Sequence, residues 1–264
     1  MHPITKKFNQ AKEEKRLAIM THVVIGYPSI GETKNIVKMM VEEGVDFIEL
    51  QIPFSDPIGD GPTIHKANTA SLLGGTKVAD AFTLAGSLVH DEKISIPLLF
   101  MTYLNIAYAY GLEKFCKDAS AAGIVGLIIP DYNLENEEYD HFESYAKKYN
   151  LVLVRFASLD SSEARLEMLS HDAQGFVYCF STRGVTGARE ELNSYLGTHL
   201  AKLHTIFSVP LAVGFGISTG EHVRSLVGKT EAVVVGSAMI KAYEEGGLEK
   251  AREKTKELVS ACRN

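Results

Sequence analysis

The sequence predicts a single-domain (β/α)₈ TIM barrel, an α/β fold, with an extra helix at the N-terminus. Three observations lead to this prediction. Eight short runs rich in apolar and β-branched residues alternate with amphipathic stretches along the 264 residues. Each run is apolar at nearly every position, which is typical of parallel strands buried on both faces. The composition shows no break, so residues 1–264 are expected to form one domain.

The elements follow in chain order. Ile4, Phe8 and Ala11 lie at helical spacing ahead of the first strand, and we expect this helix to close the barrel floor. The eight predicted strands are Ile19–Ile25, Asp46–Ile52, Ile96–Tyr103, Gly126–Ile129, Leu151–Phe156, Gly175–Phe180, Pro210–Phe215 and Glu231–Gly236. Apolar residues at helical spacing predict helices that include residues 36–41, 78–89, 112–122 and 248–262. A doubly wound open sheet is the alternative, since periodicity does not separate an open sheet from a closed one.

The bulk composition argues against several classes of function. The net charge is −6 and the pI is near 5.9, so binding to nucleic acid or to an anionic membrane is not expected. Cys116, Cys179 and Cys262 are far apart and lack metal-binding spacing, and we expect no metal site. The first residues lack the apolar core of a signal peptide, and no apolar run reaches membrane-spanning length. These features favour a cytoplasmic protein.

Two acidic residues near the second strand are the strongest candidates for catalysis. Glu49 lies within the strand on the same side as Phe47 and Gln51, and is a partly buried carboxylate if that side faces the barrel interior. Asp60 lies between two glycines in the following loop. Barrel chemistry takes place at the carboxyl ends of the strands, and two carboxylates in different settings suit acid–base catalysis. A structural salt bridge for Glu49 and a turn for Asp60 are the alternatives.

Glycine-bearing segments follow the last two predicted strands. They read Gly214-Phe215-Gly216-Ile217-Ser218 and Gly236-Ser237-Ala238-Met239-Ile240-Lys241. Barrel enzymes often bind phosphate in the loops after strands seven and eight, where glycine lets the anion approach backbone N–H groups. A third segment, residues 181–187, follows the sixth strand and is placed to close over the site. For each glycine segment alone, a tight turn is the alternative.

The strings PFSDPIGDGPTI, STRGVTGAR, GFGIS and GSAMIK together resemble the tryptophan synthase alpha subunit family. The similarity extends over essentially the whole chain, with the strings in the right order. The resemblance implies a (β/α)₈ barrel that cleaves indole-3-glycerol phosphate to indole and glyceraldehyde 3-phosphate in tryptophan biosynthesis. It also implies a lyase that works without a metal or an organic cofactor of its own.

The resemblance implies a role for each matching residue. Glu49 matches the general acid–base that protonates the indole ring carbon and assists the retro-aldol step. Asp60 matches the carboxylate that stabilises positive charge at the indole N–H, and we expect it to stay ionised in its polar loop. The remaining assignments are the substrate pocket, with Tyr178, Phe215, Leu127, Phe100, Ile64 and Thr186, and the phosphate contacts, with Gly187, Gly216, Gly236 and Ser237.

The resemblance also implies a partner. The family's alpha subunit docks on a pyridoxal-phosphate-dependent beta subunit, in an α2β2 tetramer, and passes indole to it through a tunnel. Pro53, Asp56, Pro57 and Asn105 match positions near that contact. Pyridoxal phosphate would belong to the partner and not to this chain.

The chain departs from the family pattern at several positions, which include Tyr27, Tyr132-Asn133-Leu134 and Thr182, and two further departures leave other functions open. Gln51 stands where a glycine or similarly small residue is usual, and His22 replaces a commonly aromatic pocket residue. One alternative is therefore a catalytically weak alpha-like subunit that mainly activates a beta subunit. Another is a sugar-phosphate isomerase or epimerase on a similar barrel, although the bulky apolar wall favours an aromatic substrate.

Overall fold

The computed structural model describes residues 1–180, 189–214 and 216–263, without the side chains of residues 189–195. The described residues form one parallel sheet that curls into a barrel. Its strands are β1 (Ala18–Val24), β2 (Phe47–Gln51), β3 (Leu98–Met101), β4 (Gly126–Ile128), β5 (Val152–Leu153), β6 (Arg155–Ser158), β7 (Val177–Phe180), β8 (Leu211–Val213) and β9 (Ala232–Val235).

The barrel closes within the fifth predicted strand. That strand consists of two segments, β5 and β6, which are separated only by Val154. The strand order is β5-β4-β3-β2-β1-β9-β8-β7-β6, so the two edges of the sheet are consecutive in the chain. The predicted barrel is therefore confirmed, with the fifth strand divided, and the doubly wound alternative is wrong.

Helices surround the barrel wall. They are α1 (Pro3–Glu13), α2 (Ile30–Glu42), α3 (Pro62–Leu73), α4 (Val78–Gly86), α5 (Leu104–Tyr110), α6 (Leu112–Ala121), α7 (Glu137–Asp140), α8 (Phe142–Lys148), α9 (Glu163–Ser170), α10 (Arg189–Ile206), α11 (Gly220–Arg224) and α12 (Ser237–Ala261). A π-turn at Ser87–Asp91 and a 3₁₀ turn at Leu134–Asn136 complete the set, and α12 has non-helical backbone at Gly246 and Gly247. None of the helices in these ranges is long and apolar enough to cross a membrane.

Strand alternation divides the core into two layers. On β1, Ala18 and Met20 belong to the cluster that fills the barrel interior, whereas Ile19 and Val23 pack outward against the helices. The same alternation runs along β2, where Phe47 points inward and Ile48 points outward. Side chains that lie two and four positions after an inward residue therefore reach the upper end of the interior.

Helix α1 closes the lower end of the interior, as predicted. Ile4, Phe8 and Ala11 are buried on one face of the helix and belong to the interior cluster. The Phe8 ring lies 5.0 Å from the ring of Phe47 and 5.8 Å from that of Phe176, both near the amino ends of their strands. The open end of the barrel is consequently the one where the strands finish.

Candidate active site

A cavity of about 300 Å³ lies at the carboxyl ends of the strands. The last inward-facing side chain of each strand lies at this end of the barrel. Acidic, polar, apolar and glycine residues line different parts of it, among them His22, Glu49, Asp60, Ile64, Met101, Ile128, Phe156, Tyr178, Gly214, Gly216, Gly236 and Ser237.

Glu49 reaches this cavity from the middle of β2. It is two positions after Phe47, so it shares the inward face and is 3% exposed. Glu49 lines the cavity and is almost completely buried, so it faces the side of the strand that the alternation predicted. One carboxylate oxygen, Oε1, lies 3.5 Å from Nδ1 of His22 on the neighbouring strand β1.

Asp60 reaches the same cavity from the loop between β2 and α3. Its Oδ2 accepts a 2.6 Å hydrogen bond from Nε2 of Gln51 and a longer one, 3.5 Å, from Nδ2 of Asn68. Burial, together with the charge of Glu49, raises the pKa of Asp60, although His22 and the hydrogen bond from Gln51 act in the opposite direction. The sequence suggested a hydrated polar loop, but the loop folds over the barrel mouth and removes much of the water around this carboxyl.

Two residues that the sequence did not single out hold the Asp60 loop. The Gly59 N–H donates to the hydroxyl of Tyr103 at 3.1 Å, and the same hydroxyl acts to lower the pKa of Asp60. Asn68 is fully buried on α3, where its Oδ1 accepts from the Phe54 N–H at 3.0 Å. Asn68 was detectable as a polar side chain on the buried face of a helix, whereas Tyr103 had no distinguishing signal.

On two strands, the apolar residue that lines the cavity is one position after the residue that was predicted. Phe100 and Leu127 are fully buried in the outer layer, and Phe100 packs edge-on against Phe82 at 5.5 Å. Their placement in the pocket is wrong, because alternation turns them away from the interior. Met101 and Ile128, one position further along each strand, line the cavity instead.

Tyr178 lines the cavity as expected. Its ring stacks on Phe156 with centroids 5.3 Å apart. It also packs directly over Gly214, where an added Cβ would lie 2.6 Å from Cε1 of the tyrosine. Glycine is required at this position because any side chain would displace the aromatic wall.

Part of the cavity is formed by the ends of β8 and β9. Gly216, Gly236 and Ser237 line it there, as the glycine segments predicted. Ser237 is the first residue of α12, and no side chain caps the first N–H groups of that helix. Free N–H groups and the positive end of a helix dipole form a suitable place for a phosphate.

Comparisons with known proteins decide the family. Residues 8–264 match the family described as tryptophan synthase alpha chain. The chain is 43% identical to the tryptophan synthase alpha chain of Desulfotalea psychrophila, over 92% of this chain and 94% of that one. It is 39% identical to that of Syntrophotalea carbinolica, over 89% and 91% of the two chains.

The chain belongs to the tryptophan synthase alpha chain family. A solved structure of Mycobacterium tuberculosis tryptophan synthase contains a chain of the same fold, with a TM-score of 0.91 and 30% identity over 100% of this chain and 99% of that one. The family cleaves indole-3-glycerol phosphate in tryptophan biosynthesis, which makes this alpha chain a lyase and confirms the function implied by the motifs.

Not every residue assigned from the alpha chain resemblance lies in the described cavity. Thr186, Gly187 and Phe215 lie outside the residues that the structure describes. Among those assigned to the partner contact, Asp56 and Asn105 are exposed, whereas Pro53 and Pro57 are buried. The two prolines therefore shape the loop, and the exposed pair is the part available to another chain.

Two of the departures from the alpha chain pattern are His22, which lines the cavity, and Gln51, which contacts His22 and Asp60. Each is buried, and Nε2 of His22 lies 2.9 Å from Oε1 of Gln51. Within the described ranges, no group of three or more His, Cys, Asp or Glu side chains is arranged to hold a metal ion. The polar residues that line the cavity are thus two carboxylates, an imidazole, a phenol and a serine, together with glycine backbone.

Proposed function

We propose that Glu49 and Asp60 perform the alpha reaction of this chain as a proton donor–acceptor and a charge stabiliser, respectively. One observation carries the proposal. A single cavity contains both carboxylates together with the glycine-bearing ends of β8 and β9. A substrate with an aromatic ring at one end and a phosphate at the other matches that distribution of groups.

In this arrangement the indole ring lies among Met101, Ile128 and Tyr178, with its N–H toward Asp60. The phosphate binds the N–H groups at Gly236 and Ser237. These positions leave the bond between the ring carbon and the carbinol carbon at the level of Glu49.

The reaction then needs one proton to be moved. Glu49 protonates the ring carbon, which gives an indoleninium-like cation whose charge at nitrogen is stabilised by the Asp60 carboxylate. The carbon–carbon bond breaks as the carbinol hydroxyl returns a proton to Glu49 and becomes the aldehyde of glyceraldehyde 3-phosphate. The electron pair of the broken bond restores the aromatic ring of indole.

The test is the release of indole from indole-3-glycerol phosphate. Replacing a positioned acid–base usually costs about a hundred- to ten-thousand-fold in rate, so Glu49→Gln should lose activity by that factor while still binding substrate. Glu249→Gln, a change at an exposed glutamate on α12, is the matched control and should leave the rate unchanged. A Glu49→Gln enzyme that keeps most of its turnover would contradict the assignment.

We further propose that the barrel mouth docks on a pyridoxal-phosphate-dependent beta subunit in an α2β2 tetramer. The relative from M. tuberculosis is described as tryptophan synthase. Two large apolar side chains are exposed beside the contact positions Asp56 and Asn105, namely Ile58 at 83% and Tyr108 at 69%. Exposed apolar residues next to the opening of a cavity suit a surface through which indole passes to another chain.

A charge at this surface should block docking without damaging the barrel. We expect Ile58→Asp to abolish activation by an added beta subunit and to leave the basal fold intact. Leu73→Asp is the matched control, because Leu73 is 85% exposed but lies at the far end of α3. Equal loss of activation in both variants, measured together with the mass of the complex, would place the contact elsewhere.

The proposal includes no cofactor on this chain, with pyridoxal phosphate confined to the partner, and a cytoplasmic location. The chemistry above uses only side chains and backbone donors of the cavity. Full activity of the isolated chain after dialysis against a chelator, without added pyridoxal phosphate, is the expected result. Restoration of lost activity by a metal ion would contradict it, and cell fractionation tests the location.

A further inference from the structure

A continuous path of buried polar side chains joins the two carboxylates. Oε1 of Glu49 lies 3.5 Å from Nδ1 of His22, and Nε2 of His22 lies 2.9 Å from Oε1 of Gln51. Nε2 of Gln51 then donates to Oδ2 of Asp60 at 2.6 Å. His22 and Glu49 are less than 5% exposed and Gln51 is fully buried, so these three side chains are largely shielded from bulk solvent.

The chemistry of the donors determines where the protons lie. An ionised Asp60 only accepts hydrogen bonds, so the amide NH₂ of Gln51 faces it and the amide oxygen faces His22. That oxygen also only accepts, and Nε2 of His22 must therefore carry a hydrogen. Nδ1 is left facing Glu49, either as an acceptor from a protonated carboxyl or as a donor to a carboxylate. In both cases one proton lies between His22 and Glu49.

The groups around His22 favour the protonated form of its imidazole. Burial opposes a charged imidazole, but the charge and hydrogen bond of Glu49, the charge of Asp60 and the hydrogen bond to Gln51 outweigh it and raise the pKa of His22. Across the cavity, burial and the two carboxylates raise the pKa of Tyr178 well above its ordinary value.

On the other side of the His22 backbone, Tyr27 and Tyr243 line a small separate cavity. Burial and a glutamate partner raise the pKa of each, that of Tyr27 to about 12. Neither phenol ionises near neutral pH. Among the described residues that face His22, the two carboxylates are thus the groups whose charge sets its protonation.

We propose that His22 is a positioning residue that shares one proton with Glu49, in an orientation fixed by Gln51, and so keeps Glu49 supplied for transfer to the substrate. The inference rests on the proposed role of Glu49 and deepens it. The proton that leaves for the ring carbon is replaced by the one from the carbinol hydroxyl, so the pair begins and ends each cycle with one proton. Gln51 and His22 depend on each other, because either alone would leave a buried polar group without its partner.

An NMR titration tests the shared proton without any need for activity. In protein labelled with ¹⁵N-histidine, the His22 signal is identified by its absence from His22→Phe. We expect Nε2 of His22 to be protonated at every pH at which the fold is intact, and the midpoint to lie above the ordinary 6.5 and to fall in Glu49→Gln. A tautomer with hydrogen on Nδ1 alone, or a midpoint unchanged by Glu49→Gln, would overturn the proposal.

The pH dependence of indole release tests the consequence for catalysis. Without His22 the proton must reside on the carboxyl of Glu49 alone. The basic limb of the pH profile of kcat/KM should therefore move to lower pH by about one unit or more in His22→Phe, so that kcat/KM at a given pH on that limb falls about tenfold. The double variant His22→Phe/Gln51→Gly removes the bridge without leaving an orphaned amide, and should show the same shift with restored stability. His171→Phe, at an exposed histidine, is the control and should show no shift.

The two arms separate the possible failures. If the parent enzyme releases no indole, the proposed function is wrong, and the NMR titration still decides whether the pair shares a proton. If the parent is active and both His22 variants keep its pH profile, the positioning role is wrong while the roles of Glu49 and Asp60 stand. A fall in kcat with an unmoved profile would indicate a purely structural effect and would also reject the proposal.

Discussion

Removal of one hydroxyl group from Tyr103 should impair catalysis while leaving the barrel folded. Tyr103→Phe keeps the ring, which lies 5.2 Å from the ring of Phe54, so packing is unchanged. It deletes the oxygen that accepts from the Gly59 N–H at 3.1 Å and that acts to lower the pKa of Asp60. The loop that presents Asp60 to the cavity therefore loses its attachment to β3.

The size of the effect follows from the two interactions of this hydroxyl, one with the Gly59 N–H and one with Asp60. Gly59 is exposed, so its N–H can turn to water at little cost. The other partner is the Asp60 carboxylate, and the interaction of a hydroxyl with a charged group contributes about 1.5–3 kcal/mol when it is well aligned. If that free energy is lost from the position of Asp60 in the transition state, kcat/KM should fall about 10- to 150-fold.

The Tyr103 hydroxyl acts to lower the pKa of Asp60, so its loss raises that pKa further. The carboxylate is the working form, and it is protonated as the pH falls. The loss of kcat/KM in Tyr103→Phe should consequently be larger at pH 6 than at pH 8. Indole release is measured at both values, beside a urea titration that reports the free energy of unfolding.

Tyr108→Phe provides the matched control, because this tyrosine is 69% exposed and lies only five residues away on α5. It should change neither activity nor stability. A loss below twofold in Tyr103→Phe, or an equal loss at pH 6 and pH 8, would refute the role given to this hydroxyl. An equal loss in Tyr108→Phe would show that the surface, and not the loop attachment, is responsible.

Three further predictions concern the wall, the floor and the surface. Gly214→Ala should displace the Tyr178 ring and cost about 1–3 kcal/mol of stability along with most substrate affinity, as measured by unfolding and by KM. Phe8→Ala should lower the free energy of unfolding by about 3–5 kcal/mol in a urea titration. Hydrogen bonds from Lys34 and Lys38 lower the pKa of Glu92 to about 2 in the folded protein. The ionised Glu92 therefore stabilises the fold at pH values above 4.5, the pKa of this group in the unfolded chain, and the stabilisation is lost as the pH falls. Glu92→Gln should therefore lower the unfolding midpoint more at pH 7 than at pH 3.

Much of the fold was accessible from the sequence because buried parallel strands have a distinct pattern. Near-continuous apolar runs located the strands, and helical spacing located α1 together with its buried face. The division of the fifth strand at Val154 was not accessible. That break arises where the barrel closes, which depends on the curvature of the whole sheet and not on local composition.

The site was predicted less evenly, for reasons that differ among its residues. Alternation from Phe47 placed Glu49 correctly, because both lie within one strand. The predictions for Phe100 and Leu127 were wrong because the same alternation turns both residues outward and their following neighbours toward the cavity. The contacts of His22 and Tyr103 join residues 29 and 44 positions away in the sequence, and no local pattern reports such pairs.

The helix at the barrel floor has a consequence for traffic through the enzyme. Because Phe8 packs against Phe47 and Phe176, the described part of the barrel is closed at its lower end and open at its upper end. Whatever is made at the level of Glu49 departs by the side on which the reactant arrived. Inhibitors with long substituents should accordingly bind only when the substituent extends out of the upper end of the barrel. A tunnel to a second enzyme would also have to begin at that end.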